Sequence, residues 1–343
     1  MSKAAMTILG AGAFGLSCAF EAARRGVAVR VIDPFGVGAG SSGGIVGALA
    51  PHTPENWNDK KAFQFESLIL ARHFWPEVEA IGGLSSGYGA TGRVQAVQDA
   101  RQLDLAHARA LSARALWQGK ARWEVRADAP DGLPSPTGFY IHDTLSARLH
   151  PAQACAALAA AVRALGGEIV PEGTREGVVI HATGWQGLQA LSAQTGTPVG
   201  AGVKGQALLF DLDLRDLPQI YAQSLHIIPH RDGTTAVGST SERDFDSPFE
   251  TDDLAEDLKA RAIAAFAPLG RARELRRWAG VRPRAKSRAP MLGGHPLRAG
   301  EFIANGGFKI GFGMAPLAAR ALVDLALDGV DAIPPAFKPE ASF

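Results

Sequence analysis

The 343-residue chain has only two cysteines, Cys18 and Cys155, which is too few for a disulfide framework or a thiolate metal site. Both fall in apolar, helix-like stretches and read as small core side chains. The chain therefore suits a reducing compartment such as the cytoplasm, and no metal is expected. No run of 18 or more apolar residues occurs, so no transmembrane helix is expected. The apolar start is broken by glycines and continues into Glu21, Arg24 and Arg25, which argues for a first strand rather than a signal peptide. Charge of one sign is missing as well. Lys and Arg total 35 against 34 Asp and Glu, so the net charge of +1 gives no global pull toward nucleic acid or a membrane surface. Internal repeats and low-complexity tails are absent.

What the chain does have is glycine, 40 residues of it, and 46% hydrophobic residues. The length exceeds what one compact core usually supports, so two domains are the starting expectation. The most informative run opens the sequence. Residues 8–33 read as a strand, a Gly10-Ala-Gly12-Ala13-Phe14-Gly15 turn, a helix and a second strand ending in Asp33. Gly10 allows the tight turn, Gly12 admits a pyrophosphate against the backbone, and Gly15 lets the helix pack on the strand. The helix start offers free N–H groups and partial positive charge to phosphates. Asp33, followed by Pro34, is placed to accept hydrogen bonds from both ribose hydroxyls and would repel a 2′-phosphate.

The rest of the chain alternates helix-like and strand-like segments. Residues 60–80 and 100–117 read as helices and 91–97 as a strand. Residues 128–138, rich in Pro, Gly and Asp, read as loop. Pro151 opens a helix that Gly166-Gly167 stops. Short strands follow near 168–170 and 177–182. From 203 to 240 the pattern becomes an antiparallel sheet, with a turn at Arg231-Asp232-Gly233. Residues 251–268 form an amphipathic helix, 301–312 a strand and glycine turn, and 315–328 a helix closed by Gly329. The pieces imply an α/β fold with an α+β insert. A Rossmann-like nucleotide-binding domain over 1–55, 144–195 and 280–343 is expected to interleave with a substrate domain over 56–143 and 196–279, built on the antiparallel sheet.

Several separated segments resemble one family, the FAD-dependent amine oxidoreductases that include D-amino-acid oxidase, glycine oxidase and sarcosine oxidase. They are Gly10–Gly15 with Asp33, Ser41-Ser42 leading to Gly47-Ala48-Leu49, and Ala182-Thr183-Gly184. Val203-Lys204-Gly205-Gln206, Ile228-Pro229 with Val237-Gly238-Ser239-Thr240, and Trp278-Ala279-Gly280-Val281-Arg282-Pro283 continue the series. Gly306-Gly307-Phe308-Lys309-Ile310-Gly311 followed by Ala315-Pro316 completes it, and the order is the family's from residue 8 to about 328. The resemblance implies FAD as cofactor. No cysteine lies between 280 and 316, where some members attach flavin covalently, so the FAD is expected to be non-covalent.

The residues expected to hold FAD follow from those segments. Gly10, Gly12, Ala13, Phe14, Gly15, Asp33 and Pro34 form the adenosine end. Ser41 and Ser42 supply hydroxyls and N–H groups for a phosphate or the ribityl chain. Gly43, Gly44 and Gly47 carry no side chain, so backbone can lie flat against the flavin ring, with Ala48 and Leu49 continuing the cofactor-binding segment. Ala182, Thr183 and Gly184 end a strand beneath the cofactor. Gly307, Phe308, Lys309, Ile310 and Gly311 lead into a helix whose N-terminus would stabilise negative charge on the flavin.

For the substrate, the resemblance places Arg282 as the clamp of a carboxylate, because a planar fork of donors fixes orientation as well as affinity. Lys309 matches the lysine of the sarcosine oxidase branch that also contacts the carboxylate. His226 stands where glycine oxidase has an active-site tyrosine, and an imidazole there could hydrogen-bond substrate. Where the family often has an aspartate shortly after the Arg-Pro pair, this chain has Arg284-Ala285-Lys286-Ser287-Arg288, which points to an anionic or phosphate-bearing ligand. The leading expectation is oxidation of the CH–NH bond of a small amino acid or secondary amine to an imine that hydrolyses to an oxo acid, with oxygen or another acceptor taking the electrons. The alternatives are an FAD-dependent enzyme of the tRNA wobble-uridine modification type, using the basic 271–288 segment on RNA, and a non-catalytic flavin-binding subunit. An ordinary NAD dehydrogenase comes last, since it has no place for the later segments.

Overall fold

The computed structural model describes residues 5–343, organised around two large sheets. The first has six strands in the order Met291–Gly294, Glu301–Asn305, Val178–His181, Met6–Leu9, Val29–Ile32 and Glu168–Val170. Met6–Leu9 lies inside it, fully buried, and pairs in parallel with Val29–Ile32 on one side and Val178–His181 on the other. A strand covered on both faces reads as a continuous apolar run rather than an alternation, as this one does.

The helix Ala13–Ala23 that follows is buried along its whole length, so it carries almost no polar face. It packs against Pro151–Ala164 and Gly311–Asp328, and the helix Asp59–Gly82 crosses the latter two. Asn58 caps that last helix by accepting from Lys61 N at 3.1 Å, and Gly83 at φ 69° ends it in the left-handed region. The helix expected to start near Ala315 begins at Gly311 instead, with Pro316 inside it. The helical bond from Met314 N to Ile310 O precedes the proline, and just beyond it Leu317 N donates to Ser67 Oγ at 3.3 Å. A neighbouring helix thus helps satisfy backbone where the proline interrupts the ladder.

The second sheet has eight strands in the order Arg273–Ala285, Gly200–Asp211, Thr235–Gly238, Leu225–Pro229, Gln219–Ala222, Arg93–Ala96, Tyr140–Asp143 and Trp123–Arg126. All its pairings are antiparallel except Gln219–Ala222 with Arg93–Ala96. Helix Leu254–Ala265 covers one face and closes a second core around Leu258, Phe210 and Phe266. Gly47–Leu49 and Ala147–Leu149 form a small antiparallel pair.

Most of the expected elements are present: the helices Pro151–Ala164 and Ala100–Leu116, the strand Arg93–Ala96 and the hairpin closed at Arg231–Gly233. Several were not foreseen, among them the strands Trp123–Arg126, Tyr140–Asp143, Ala147–Leu149 and Met291–Gly294. Gln219–Ala222 inserts an extra strand, Gly184–Thr195 is a helix, and the basic stretch contains the long strand Arg273–Ala285. Acidic partners accommodate the basic side chains of that strand: Arg273 pairs with Asp211 opposite it, and Arg277 with Glu274 and Glu256. The domain boundary expected at residue 280 falls inside this strand. Helix Asp59–Gly82, expected with the substrate unit, contributes to the same core as the helices of the first sheet.

Candidate active site

One cavity of about 1180 Å³ is lined by residues of both sheets and of the loops between them. At its first end stands the Gly10–Asp33 unit. Gly10 has φ 109°, and a Cβ there would meet Ala182 O at 2.3 Å, so only glycine fits. Gly12, Ala13 and Phe14 line the cavity where the helix begins, and Gly12, as N-cap, has no side chain to satisfy the free N–H groups. Ser42 Oγ accepts from Ala13 N at 3.0 Å. Asp33 braces the turn by accepting from Ala11 N at 2.8 Å and Phe35 N at 2.9 Å, and among the described residues it is the only acid lining the cavity. Pro34, Ser41, Ala182, Thr183 and Gly184 complete this end.

Gly15 does not line the cavity. Its missing side chain serves packing, because a Cβ would sit 1.9 Å from Gly10 O. Leu49 also lies outside, in the core, while Gly47 and Ala48 line the middle. Ile310 caps the helix Gly311–Asp328 without reaching the cavity, whereas Gly307 and Gly311 border it. Trp278 also lines this middle part, its ring against Gly44 and Gly280, where added Cβ atoms would come within 3.1 and 2.5 Å. Its Trp-Ala-Gly-Val-Arg-Pro setting was visible in the sequence, but the ring's contacts with Gly44 depend on tertiary packing.

Arg282, Lys309 and His226 meet at the far end of the cavity. Arg282 is firmly held: Nη1 donates to Ser239 Oγ at 2.7 Å, and Nη2 donates to Thr240 O at 2.8 Å and Lys204 O at 3.1 Å. Gly205 makes room for the guanidinium, since a Cβ there would lie 2.1 Å from Nη2. Nε is buried without a partner. With Nε enclosed by protein, one N–H on Nη1 is left for a ligand rather than a free fork. Burial pushes the Arg282 pKa down to about 10, opposed by the nearby Glu242. The residue stays charged at neutral pH.

Phe308 adopts φ 45°, a conformation that non-glycine residues take at an energetic cost and that recurs at functional sites. Its N–H donates to Pro283 O at 2.9 Å. The ring stands among three cations, 5.7 Å from Arg282 Cζ, 5.4 Å from Arg284 Cζ and 5.7 Å from Lys309 Nζ. Burial, then Arg282 and Arg284, lowers the Lys309 pKa. His226 lies opposite Tyr221 on one neighbouring strand and Gly238 on the other, with its ring 4.9 Å from the Tyr221 ring. Its Nδ1 is buried without a partner, and burial, with Arg93 and Lys309, pushes its pKa down to about 3. The imidazole is neutral at every physiological pH. Tyr221 and Ser239, not foreseen from sequence, line the same end.

These residues fit FAD. An uncapped helix start suits a pyrophosphate, a lone acid on the second strand suits a ribose, and glycine backbone borders the space that leads to the cationic end. The basic strand is less free for RNA than its sequence suggested, since Arg273 and Arg277 are paired with acids. Among the described residues no helix is long and apolar enough to cross a membrane.

A family model described as DAO, FAD dependent oxidoreductase, matches residues 6–325. The glycine oxidase of Pseudomonas putida is 33% identical over 165 residues, 48% of this chain and 45% of that protein. The chain thus spans about half the length of that curated relative. Among solved structures, glycine oxidase from Geobacillus kaustophilus superimposes with a TM-score of 0.85 at 20% identity, over 97% of each chain. Iminodiacetate oxidase from Chelativorans sp. BNC1 does so with a TM-score of 0.80 at 21% identity, over 97% of this chain and 98% of its own. Likeness at such identity shows the shared fold.

Proposed function

Since the chain belongs to the DAO family of FAD dependent oxidoreductases, with FAD as cofactor, we propose that it oxidises the CH–NH bond of a small amino acid or secondary amine. The observation that carries this reading is the meeting of Arg282, Lys309 and neutral His226 at an acid-free end of the cavity that begins at Gly10–Asp33.

When bound, FAD supplies the acceptor for two electrons. The protein's own groups bind, orient and desolvate. The substrate carboxylate is received by the remaining Arg282 Nη1–H and by Lys309 Nζ, charged donors that fix its direction. The same cations disfavour an ammonium nearby, so the amine is held in its neutral, oxidisable form. His226, neutral near neutral pH and lining the cavity, offers the amine a hydrogen bond without adding charge. Loss of the α C–H and one N–H removes two electrons and two protons and leaves an imine. Water converts it to an oxo acid and ammonia or a smaller amine, and oxygen or another acceptor takes up the electrons. Positioning of this kind requires no separate catalytic base.

A panel of glycine, sarcosine and D- and L-amino acids assayed for oxo acid tests the reading. At least one is expected to turn over, and Arg282→Leu is expected to raise its KM at least about tenfold, since a charge-assisted hydrogen bond contributes about 1.5–3 kcal/mol. Flavin-loaded protein that forms no oxo acid from any of them would contradict the reading, and an unchanged KM would remove Arg282 from the site.

A further inference from the structure

The far end of the cavity carries more positive charge than one carboxylate balances, and we infer that the substrate is a small amine bearing two acidic groups, held between Arg282 and Lys309. The inference rests on the amine-oxidising reading above and narrows its substrate class.

The charges around this end can be followed one by one. Arg93, beside the Tyr221 ring, is closed by Asp143 at 2.9 Å within the core. Lys204, 2% exposed, lies between Asp252 at 3.0 Å and Glu242 at 3.5 Å, so those two acids exceed it by one charge. Glu242 is further engaged by Gln206 Nε2 and Thr240 Oγ1, which hold its carboxylate in the strand-end network. Arg282, Arg284 and Lys309 form no ion pair with any described acid, although all three surround the Phe308 ring. Arg282 and Lys309 line this end of the cavity and Arg284 does not, so two unpaired positive charges face it. Among the described residues the only acid on the cavity wall, Asp33, belongs to the Gly10–Asp33 end.

An amino acid with one carboxylate and a neutral amine removes one of those charges and leaves the other facing a partly dry cavity, which is unfavourable. A second acidic arm removes both. Lys309 is suited to receive it: the residue is open to the cavity, its ammonium has no acceptor among the described residues, and burial followed by repulsion from Arg282 and Arg284 lowers its pKa, a repulsion that an anion would relieve. Lys309 is a compact point charge with three rotatable donors, so a carboxylate and a phosphonate satisfy it alike. Arg282, fixed by Ser239, Thr240 and Lys204, is the more rigid partner and suits the carboxylate next to the oxidised carbon.

The test separates binding from turnover. Flavin-loaded protein is titrated, at one ionic strength, with the unreactive pair malonate and propionate, following the perturbation of the flavin spectrum. It is then assayed for oxo acid with N-methylglycine, N-(carboxymethyl)glycine and N-(phosphonomethyl)glycine. Malonate is expected to bind at least about tenfold more tightly than propionate, and one or both two-acid amines to exceed N-methylglycine in kcat/KM by a similar factor. Lys309→Met is expected to abolish both preferences and Lys309→Arg to retain them. Comparable affinity for malonate and propionate, or a preference that survives Lys309→Met, would overturn the inference while leaving oxidation of one-acid amines intact. A malonate preference without oxo acid from any amine would instead overturn the amine-oxidising reading, and the two-acid substrate class with it.

Discussion

At the residue scale the site works through groups whose ordinary behaviour is altered by burial. His226 is the clearest. Its pKa is pushed from 6.5 to about 3, chiefly by desolvation. In the unfolded chain it binds a proton below pH 6.5, while in the folded protein it does so only near pH 3. Stability therefore falls as the pH drops through that window, by up to about 1.4 kcal/mol per unit. His230, buried and donating through Nε2 to Ile45 O, is pushed to about 4 and acts in the same direction. Urea unfolding of wild type and His226→Gln at pH 7.5, 5.5 and 4.5 checks this. The variant is expected to lose less stability on acidification, and identical acid limbs would show that the imidazole is not desolvated in the fold. From sequence, His226 could be placed at the site only by resemblance. Its buried, orphaned Nδ1 is a product of tertiary packing, as is the capture of Arg282 by two backbone carbonyls.

At the element scale, the strand–turn–helix unit Met6–Ala23 was fully legible because its constraints are local. Gly10 needs a positive φ in its own turn and Gly15 a missing side chain against Gly10 O, five residues before it, although a Cβ at Gly10 would also meet the distant Ala182 O. Gly15→Ala is expected to force the helix off Gly10 O, with a stability loss of about 1–3 kcal/mol and a lower flavin-to-protein ratio. Thermal melting with flavin absorbance measures both, and an unchanged melt with full flavin content would show that this contact can relax. Strand Arg273–Ala285 was not legible for the opposite reason. Eight basic residues from 271 to 288 resemble a solvated face until Asp211 and Glu256, far away in sequence, come to lie beside Arg273 and Arg277. The start of the last helix was missed by four residues because Pro316 looks like a helix opening, and the acceptor that helps the helix pass it belongs to Ser67.

At the scale of the whole molecule, a sheet built on parallel nucleotide-binding strands and a largely antiparallel sheet enclose one cavity between an uncapped helix start and a cluster of cations. The alternation of segments was visible in the sequence, whereas the packing of helix Asp59–Gly82 into one core with the helices of the first sheet is a product of tertiary structure. The two cysteines are buried in that core, where burial pushes both thiols up to about 12, and neither lies on the cavity wall. Acid precipitation is therefore expected to leave the flavin in the supernatant, and a yellow pellet would indicate a covalent link.

The central claim joins FAD at one end of the cavity to an amine at the other. The most direct test is anaerobic mixing of the flavin-loaded protein with small amino acids and two-acid amines while following the visible flavin band. Bleaching by at least one of them, weakened in Arg282→Leu, is the predicted result. A flavin band that stays oxidised in the presence of every amine, yet bleaches with a chemical reductant, would contradict the account.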